Sequence, residues 1–420
     1  MKFTPAVKRL SNRDHGSAAN YISAAPAGTK LFYRSARSAS CGKSGFFLLF
    51  LLVAACGIIG FPGQGKCDSS RAITDMLNRQ VTIPDQVDRV ICSGSGCLRL
   101  LVYLQAHDRV VGVDSAEKGG LPFAADARPY AVANPELSNH PLFGEFRGHD
   151  SPELIAALDP QPQVILKTYA ARDGGVEELE QKTGLPVVAL GYGDLTRKRE
   201  ELRQTLRLMG RVLRKEDRAE AVIAFFDEMQ ADLEERAAGV ADRERPTTYI
   251  GGLAQRGGHG FASTEPGYEP FTFLSADNVA KVLARDGRPL DHAMVSKEQL
   301  MRWNPEIVFL DIATTRIPSG ANGLEELRDD PAYRALDAVR SGRVFGVFPY
   351  NYYTQNFGSV FANAYFIGTV LYPRAFADID PLAKAEAISE FLNGGPAYAR
   401  INRNFDQMGF EKLPLKKERR

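Results

Sequence analysis

The sequence predicts an α/β protein of two lobes, each built on a mostly parallel sheet, with one long helix joining them. Three observations carry that prediction. One phrase occurs twice: Glu153-Leu-Ile-Ala-Ala-Leu-Asp-Pro160 runs into Val164-Ile165-Leu166, and Glu298-Gln-Leu-Met-Arg-Trp-Asn-Pro305 runs into Ile307-Val308-Phe309-Leu310. In both copies the apolar residues pass from helical spacing to an unbroken run beyond a proline, the pattern of a short amphipathic helix, a turn and a buried strand. Other short apolar runs alternate with helical patterns, as they do where a parallel sheet is covered on both faces. Between Thr196 and Ala238 no strand pattern appears at all, only helical periodicity.

The first lobe starts at Asp88-Arg-Val-Ile-Cys92, an apolar strand stopped by Ser93-Gly-Ser-Gly96 and followed by Leu98, Leu100, Leu101 and Leu104 on a helix. Arg109–Val113 is a second buried strand. After a loop-rich stretch comes the first repeat, with its strand at Gln163–Lys167, then a short helix near Val176–Thr183 and a strand at Pro186–Leu190. Leu202, Leu206, Met209 and Leu213 share one helix face, and Ile223, Phe226, Met229 and Leu233 continue an apolar face on a second helix. Asp217-Arg-Ala-Glu220 has the form of a capping box at the start of that second helix. Its length of about 22 residues gives about 33 Å, enough to cross between lobes. Asp242-Arg-Glu-Arg-Pro246 ends it, and strand Thr247–Gly251 opens the second lobe. That lobe holds the second repeat, a strand at Arg343–Val347 and helices at Phe361–Leu371 and Pro381–Leu392.

The predicted boundaries are 1–56 for a signal segment, 57–80 for a linker with a short helix reaching about Arg79, 81–215 for the first lobe, 216–241 for the connecting helix, 242–400 for the second lobe and 401–420 for a basic tail, whose end Lys416–Arg420 reads as frayed and solvated. With 420 residues the chain exceeds one ordinary core. Lys plus Arg (52) balances Asp plus Glu (51), so there is no bulk basic field to recruit nucleic acid. The apolar stretch Phe46–Ala55 is too short to span a bilayer and has the length of a signal-peptide core. It ends in Leu52-Val53-Ala54-Ala55-Cys56, which resembles the lipobox of bacterial lipoproteins, with Cys56 receiving lipid; the alternative is ordinary signal cleavage. Either reading puts the folded part outside the cytoplasm. Cys92 and Cys97 have no second pair at metal-ligand spacing, leaving a local disulfide or plain burial.

Ligands of open α/β sheets sit beyond the carboxyl ends of the strands. The residues there are Ser93, Ser95, Tyr169, Arg172 and Tyr192 in the first lobe, and Arg256, His259, Tyr350, Asn351 and Tyr352 in the second. The Ser/Gly turn offers backbone N–H groups for an anion, or is simply a tight turn. Tyrosines with neighbouring amides offer flat faces with polar tips, and Arg256 suits a carboxylate or an anionic chelate. His259 serves as a metal ligand or as a structural hydrogen-bond former.

These landmarks, in their order and intervals from about Val81 to Leu392, resemble the substrate-binding proteins of ABC importers for iron complexes and cobalamin. Four segments carry the resemblance: Arg89–Leu100 with Arg109–Val113, the first repeat, Val295–Val308, and Ser341–Phe345. It implies two Rossmann-like lobes and no catalysis. It also implies a monomeric, lipid-anchored receptor that passes a metal chelate of the iron–siderophore type to an ABC permease and its ATPase, with no cofactor of its own. Haem, a corrinoid or a bare zinc or manganese ion is the alternative ligand. By position, Glu153 and Glu298 would dock onto the permease; as first-turn acids they also complement the helix dipole. A chelatase-like metal-cofactor enzyme is the reading from another class. Against it stand the export signal and the lack of a Gly-x-Ser-x-Gly turn, a paired-His helix motif or clustered cysteines.

Overall fold

The computed structural model describes residues 69–119, 126–170, 175–255, 257–317 and 322–416. Cys41, Cys56, Cys67, the apolar stretch 46–55, Arg172 and Arg256 lie outside the described residues. Two separate sheets form the framework. The first has six strands in the order His149–Asp150, Leu142–Glu145, Val110–Asp114, Val90–Ser93, Val164–Thr168 and Val187–Leu190. All neighbours are parallel except the edge strand His149–Asp150. The second has four parallel strands in the order Asp277–Asn278, Thr247–Gly251, Ile307–Asp311 and Val344–Val347.

Strand alternation sorts each sheet's side chains between two faces. On the outer face of the first sheet, Ile91, Ile165 and Val187 pack with Ile155 and Leu179; on that of the second, Tyr249, Val308 and Val344 pack with Leu300 and Leu327. Both inner faces join one continuous apolar cluster, including Val90 and Leu166 from the first sheet and Ile250 and Phe309 from the second. The sheets are therefore two, but the main core is shared. The helix Phe357–Leu371 makes this possible, because it is apolar on nearly every side and almost wholly buried.

Helix Glu216–Ala238, 23 residues long, connects the two sheets. Its Phe226 ring meets Tyr103 of the first lobe at 6.2 Å and Phe361 at 5.7 Å, so one side chain ties both halves to the strut. The capping box does not form: Glu220 instead takes Arg207 of the preceding helix at 2.7 Å and 3.0 Å, a bidentate charge pair.

Three other expectations change. The helix expected up to about Arg79 is an antiparallel hairpin, Ser70–Thr74 with Gln80–Pro84. Ile73, Val81 and Ile83 are buried in alternation, and the Asp75 carboxylate closes the turn by accepting from the Leu77 and Arg79 N–H groups at 2.9 Å. The second lobe runs on past residue 400 into the expected tail: Leu413 is buried, and the segment bonds along the edge strand, with Leu413 N donating to Val344 O at 2.8 Å and Phe410 N to Gly346 O at 2.9 Å, while residues 417–420 lie outside the described residues. Helix Pro381–Asn393 returns to the first lobe, where Asn134 donates to Asn393 O at 3.1 Å. Cys92 and Cys97 are both buried free thiols.

Candidate functional site

The carboxyl ends of the two sheets face one another across the loop 348–356, which follows strand Val344–Val347. Arg99 anchors this loop. It is a lone charge on the otherwise apolar helix Cys97–Tyr103 and is fully buried. Its guanidinium donates to the carbonyls of Gln355 at 2.7 Å, Tyr353 at 3.1 Å and Tyr352 at 3.2 Å, and to the Tyr192 hydroxyl. It also lies over the Tyr130 ring at 5.2 Å. Held this way, Tyr353 and Thr354 adopt left-handed backbone at φ 53° and 62°, and across the junction Tyr169 does so at 58°. Left-handed backbone costs an ordinary residue about 1–2 kcal/mol, and such strain concentrates at functional sites.

Two carboxylates join the lobes beside the loop. Asp114, at the end of strand Val110–Asp114, accepts from the Tyr353 hydroxyl at 2.5 Å, and that hydroxyl accepts from Arg147 N at 3.0 Å. Burial and the neighbouring Glu117 push the Asp114 carboxyl up to about 7. Glu269 accepts from Leu195 N at 3.0 Å and the Thr196 hydroxyl at 3.1 Å in the first lobe, and from the Gln355 amide. Burial, with Asp194 and Glu265 nearby, raises it to about 8, and burial raises Glu265 to about 7. An open cavity of about 230 Å³ lies here between the lobes. Asp194, Thr196 and Arg197 line it from the first lobe; Glu265, Glu269, Asp291, Tyr350, Asn351, Thr354 and Gln355 line it from the second. Arg197 pairs with Asp291 across it.

Of the residues the sequence nominated, Tyr350 and Asn351 line this cavity, and Asn351 donates to Ala254 O at 2.9 Å. Tyr169 stacks on Tyr192 at 5.7 Å and bonds Thr354 at 2.8 Å. Ser95 is half-buried in its turn, its carbonyl accepting from Thr168 at 3.1 Å. Three others are turned inward. Ser93 is fully buried and donates to Asp150 at 2.9 Å while accepting from Lys167 at 3.1 Å. Tyr192 and Tyr352 are buried at the junction, where the Tyr192 hydroxyl and the Tyr352 backbone carbonyl both accept from Arg99. Nor is the Ser/Gly turn an open anion cradle. Gly96, at φ 76°, is covered by the Tyr192 ring and Thr354, and a Cβ on Gly94 would come within 2.7 Å of Thr168 Oγ1.

His259 lies 5.7 Å from His292, ring centroid to centroid, a neighbour the sequence gave no reason to expect. Burial and His259 hold His292 below the usual histidine range. Among the described residues no three His, Cys, Asp or Glu side chains converge as a metal site. Sequence reasoning missed Arg99, Asp114, Glu265, Glu269 and His292. Only Arg99 left a signal, as a charge on an apolar helix face.

Glu153 and Glu298 are exposed in the first turns of helices Pro152–Ala156 and Lys297–Trp303. A hydrogen bond from its own backbone N–H and one from the N-cap serine hold each below the usual carboxylate range. No helix among the described residues is long and apolar enough to cross a membrane.

Comparison with known proteins agrees with this geometry. The chain is 24% identical over 350 residues to the molybdate-binding protein MolA of Haemophilus influenzae, covering 78% of this chain and 92% of that protein. A periplasmic solute binding protein from Veillonella parvula superposes with a TM-score of 0.58 at 18% identity, covering 80% of this chain and 96% of that one. Helicobacter pylori CeuE, solved with Ni(II) bound, superposes at 0.54 with 17% identity, covering 79% and 99%. The chain builds two mostly parallel sheets joined by one long helix, the family model described as periplasmic binding protein matches its residues 90–349, and the chain belongs to that family.

Proposed function

We propose that this protein is an exported solute receptor, lipid-anchored through Cys56, which takes a metal complex between its lobes and hands it to an ABC permease and its ATPase. It does no covalent chemistry. The cavity walled by both lobes carries this reading, since a solute seated there touches both and stabilises their closure. Tyr350, Asn351 and Tyr169 supply flat faces and amide or hydroxyl groups for an organic shell, with Ser95, Arg172, Arg256 and His259 as further contacts. Glu153 and Glu298 meet basic groups of the permease, a role supported by their exposure and matched first turns.

Among the described lining residues, Asp194, Glu265, Glu269 and Asp291 face Arg197 as the one basic group. With Arg197 already paired to Asp291 and with Glu265 and Glu269 raised toward the neutral form, the described lining leaves no spare basic group for a bare oxyanion and favours a metal complex. Molybdate is the second reading, supported by the Haemophilus relative. Native mass spectrometry of untagged protein from its own cell envelope, with visible absorbance, tests the proposal. A metal-complex adduct is expected. A molybdate adduct alone would transfer the assignment to the second reading. No adduct, together with no response to titrated ferric chelate, haem, corrinoid or molybdate, would overturn the receptor itself.

A further inference from the structure

His259 lies in the loop after strand Thr247–Gly251, and His292 directly precedes the short strand Ala293–Met294. Their rings stand 5.7 Å apart, tilted by 44°. Hydrogen bonding fixes the tautomer of each. The Gln255 carbonyl can only accept, so His259 Nε2, 2.8 Å away, carries a proton. Ser263 gives its one hydroxyl proton to Leu253 O at 2.6 Å, so its oxygen accepts from His292 Nε2 at 2.8 Å. Both neutral rings are thus Nε2–H tautomers, and both Nδ1 lone pairs are left without a partner among the described residues. A carbonyl or hydroxyl behind the N–H is the outer support that orients metal-ligating histidines and raises their basicity. One segment, Leu253 to Ser263, supplies that support to both rings.

The spacing fits a shared ion. With metal–nitrogen bonds of about 2.1 Å, two imidazoles on one ion hold their ring centroids roughly 5–6 Å apart. The segments that carry the pair reach the interlobe cavity: Asp291, which precedes His292, lines it, and Asn351 of the cavity wall donates to Ala254 of the loop that carries His259. Since no third protein ligand converges among the described residues, an ion held here keeps positions for ligands of its own.

We infer that His259 and His292 together grip the metal of the solute through their two Nδ1 atoms, selecting complexes whose chelator leaves two neighbouring coordination positions open. Zinc, nickel, copper and iron are the ions that imidazole suits. The inference rests on the proposed reading that the solute is a metal complex, and it names the class: coordinatively unsaturated rather than fully wrapped.

The test uses untagged full-length protein and two nickel probes, the nitrilotriacetate complex with two open positions and the EDTA complex with none. Wild type is expected to bind the first, with a shift in the nickel visible bands, and not the second. The H259Q/H292Q variant, checked for an unchanged melting temperature, should lose the first by roughly tenfold or more. The single variant H259Q is the fallback if the double variant melts early. Equal binding by wild type and variant, or equal binding of both probes by wild type, would overturn the inference. A native solute still carried by the double variant at unchanged affinity would also overturn it, while leaving the receptor reading intact.

Discussion

Helix Pro152–Ala156 of the first lobe and helix Lys297–Trp303 of the second start with the same device. Ser151 accepts from Leu154 N at 3.3 Å and Ser296 from Gln299 N at 3.2 Å, each presenting a glutamate two residues later. Two residues further on, Ile155 and Leu300 are driven fully into the outer core of their own sheet. The two units then diverge. The first reaches its strand through a cis Asp159–Pro160 bond, whereas the second turns on Asn304 at φ 41°, whose side chain donates to Asp337 at 2.8 Å and accepts from Asp337 N at 3.0 Å. The flanks differ as well: Lys297, beside Glu298, is paired with Asp330, while Leu154, beside Glu153, is 40% exposed. The shared parts are those constrained from outside, by solvent at the first turn and by the sheet at the strand. The link between them is solved locally, twice and differently.

The strongest way to break this equivalence is to remove both glutamates. E153A/E298A should abolish solute uptake in cells while leaving affinity in titration unchanged; a parallel loss of affinity would place the glutamates in ligand binding rather than docking. Each single variant should slow association with the permease and weaken its salt dependence, since exposed rim charges act chiefly on encounter.

Changing pH separates the two first-turn glutamates from the junction carboxylates. Glu269, raised to about 8, holds its proton in the folded protein where the unfolded chain has released it, so its contribution to stability is lost as pH climbs from about 4.5 through 8. Asp114, Glu265 and Asp311, each raised to about 7 chiefly by burial, act in the same direction. Glu153 and Glu298, held low, act in the opposite direction and only on the acid side. The melting temperature should therefore fall from pH 5 to pH 8, by an amount on the order of a few kcal/mol in stability. E269Q should flatten that slope, and E153A/E298A should leave it alone.

Smaller effects test the turn and the caps. N304A keeps the left-handed strain and loses both bonds to Asp337, for a cost of about 2 kcal/mol in denaturant unfolding; N304G should recover roughly 1 kcal/mol of it. S151A and S296A should each cost about 1 kcal/mol and differ little from one another. A large difference would mean that the two first turns are not equivalent.

Much of this fold follows from local pattern. Thr247–Gly251 and Val176–Thr183 lie where periodicity puts them, and the strands of both repeats lie within one residue of their predicted positions. The alternation of Val81 and Ile83 and the turn former Asn78 also encode the hairpin before Val90, but strands this short leave the residues before Arg79 equally compatible with a helix. The site was far less legible. Tyr350 and Asn351 follow from the rule about strand ends, yet nothing local shows that Arg99 reaches the carbonyls of a loop more than half the chain away.

The sequence by itself determined the two-sheet plan, the strut and the paired glutamates, because each is written in the spacing of neighbouring residues against solvent or core. Only the tertiary structure decided that the halves share one core, that Ser93, Tyr192 and Tyr352 turn inward, and that His259 meets His292. Those outcomes depend on distances between segments remote in the chain, fixed only when the sheets close onto a common set of helices.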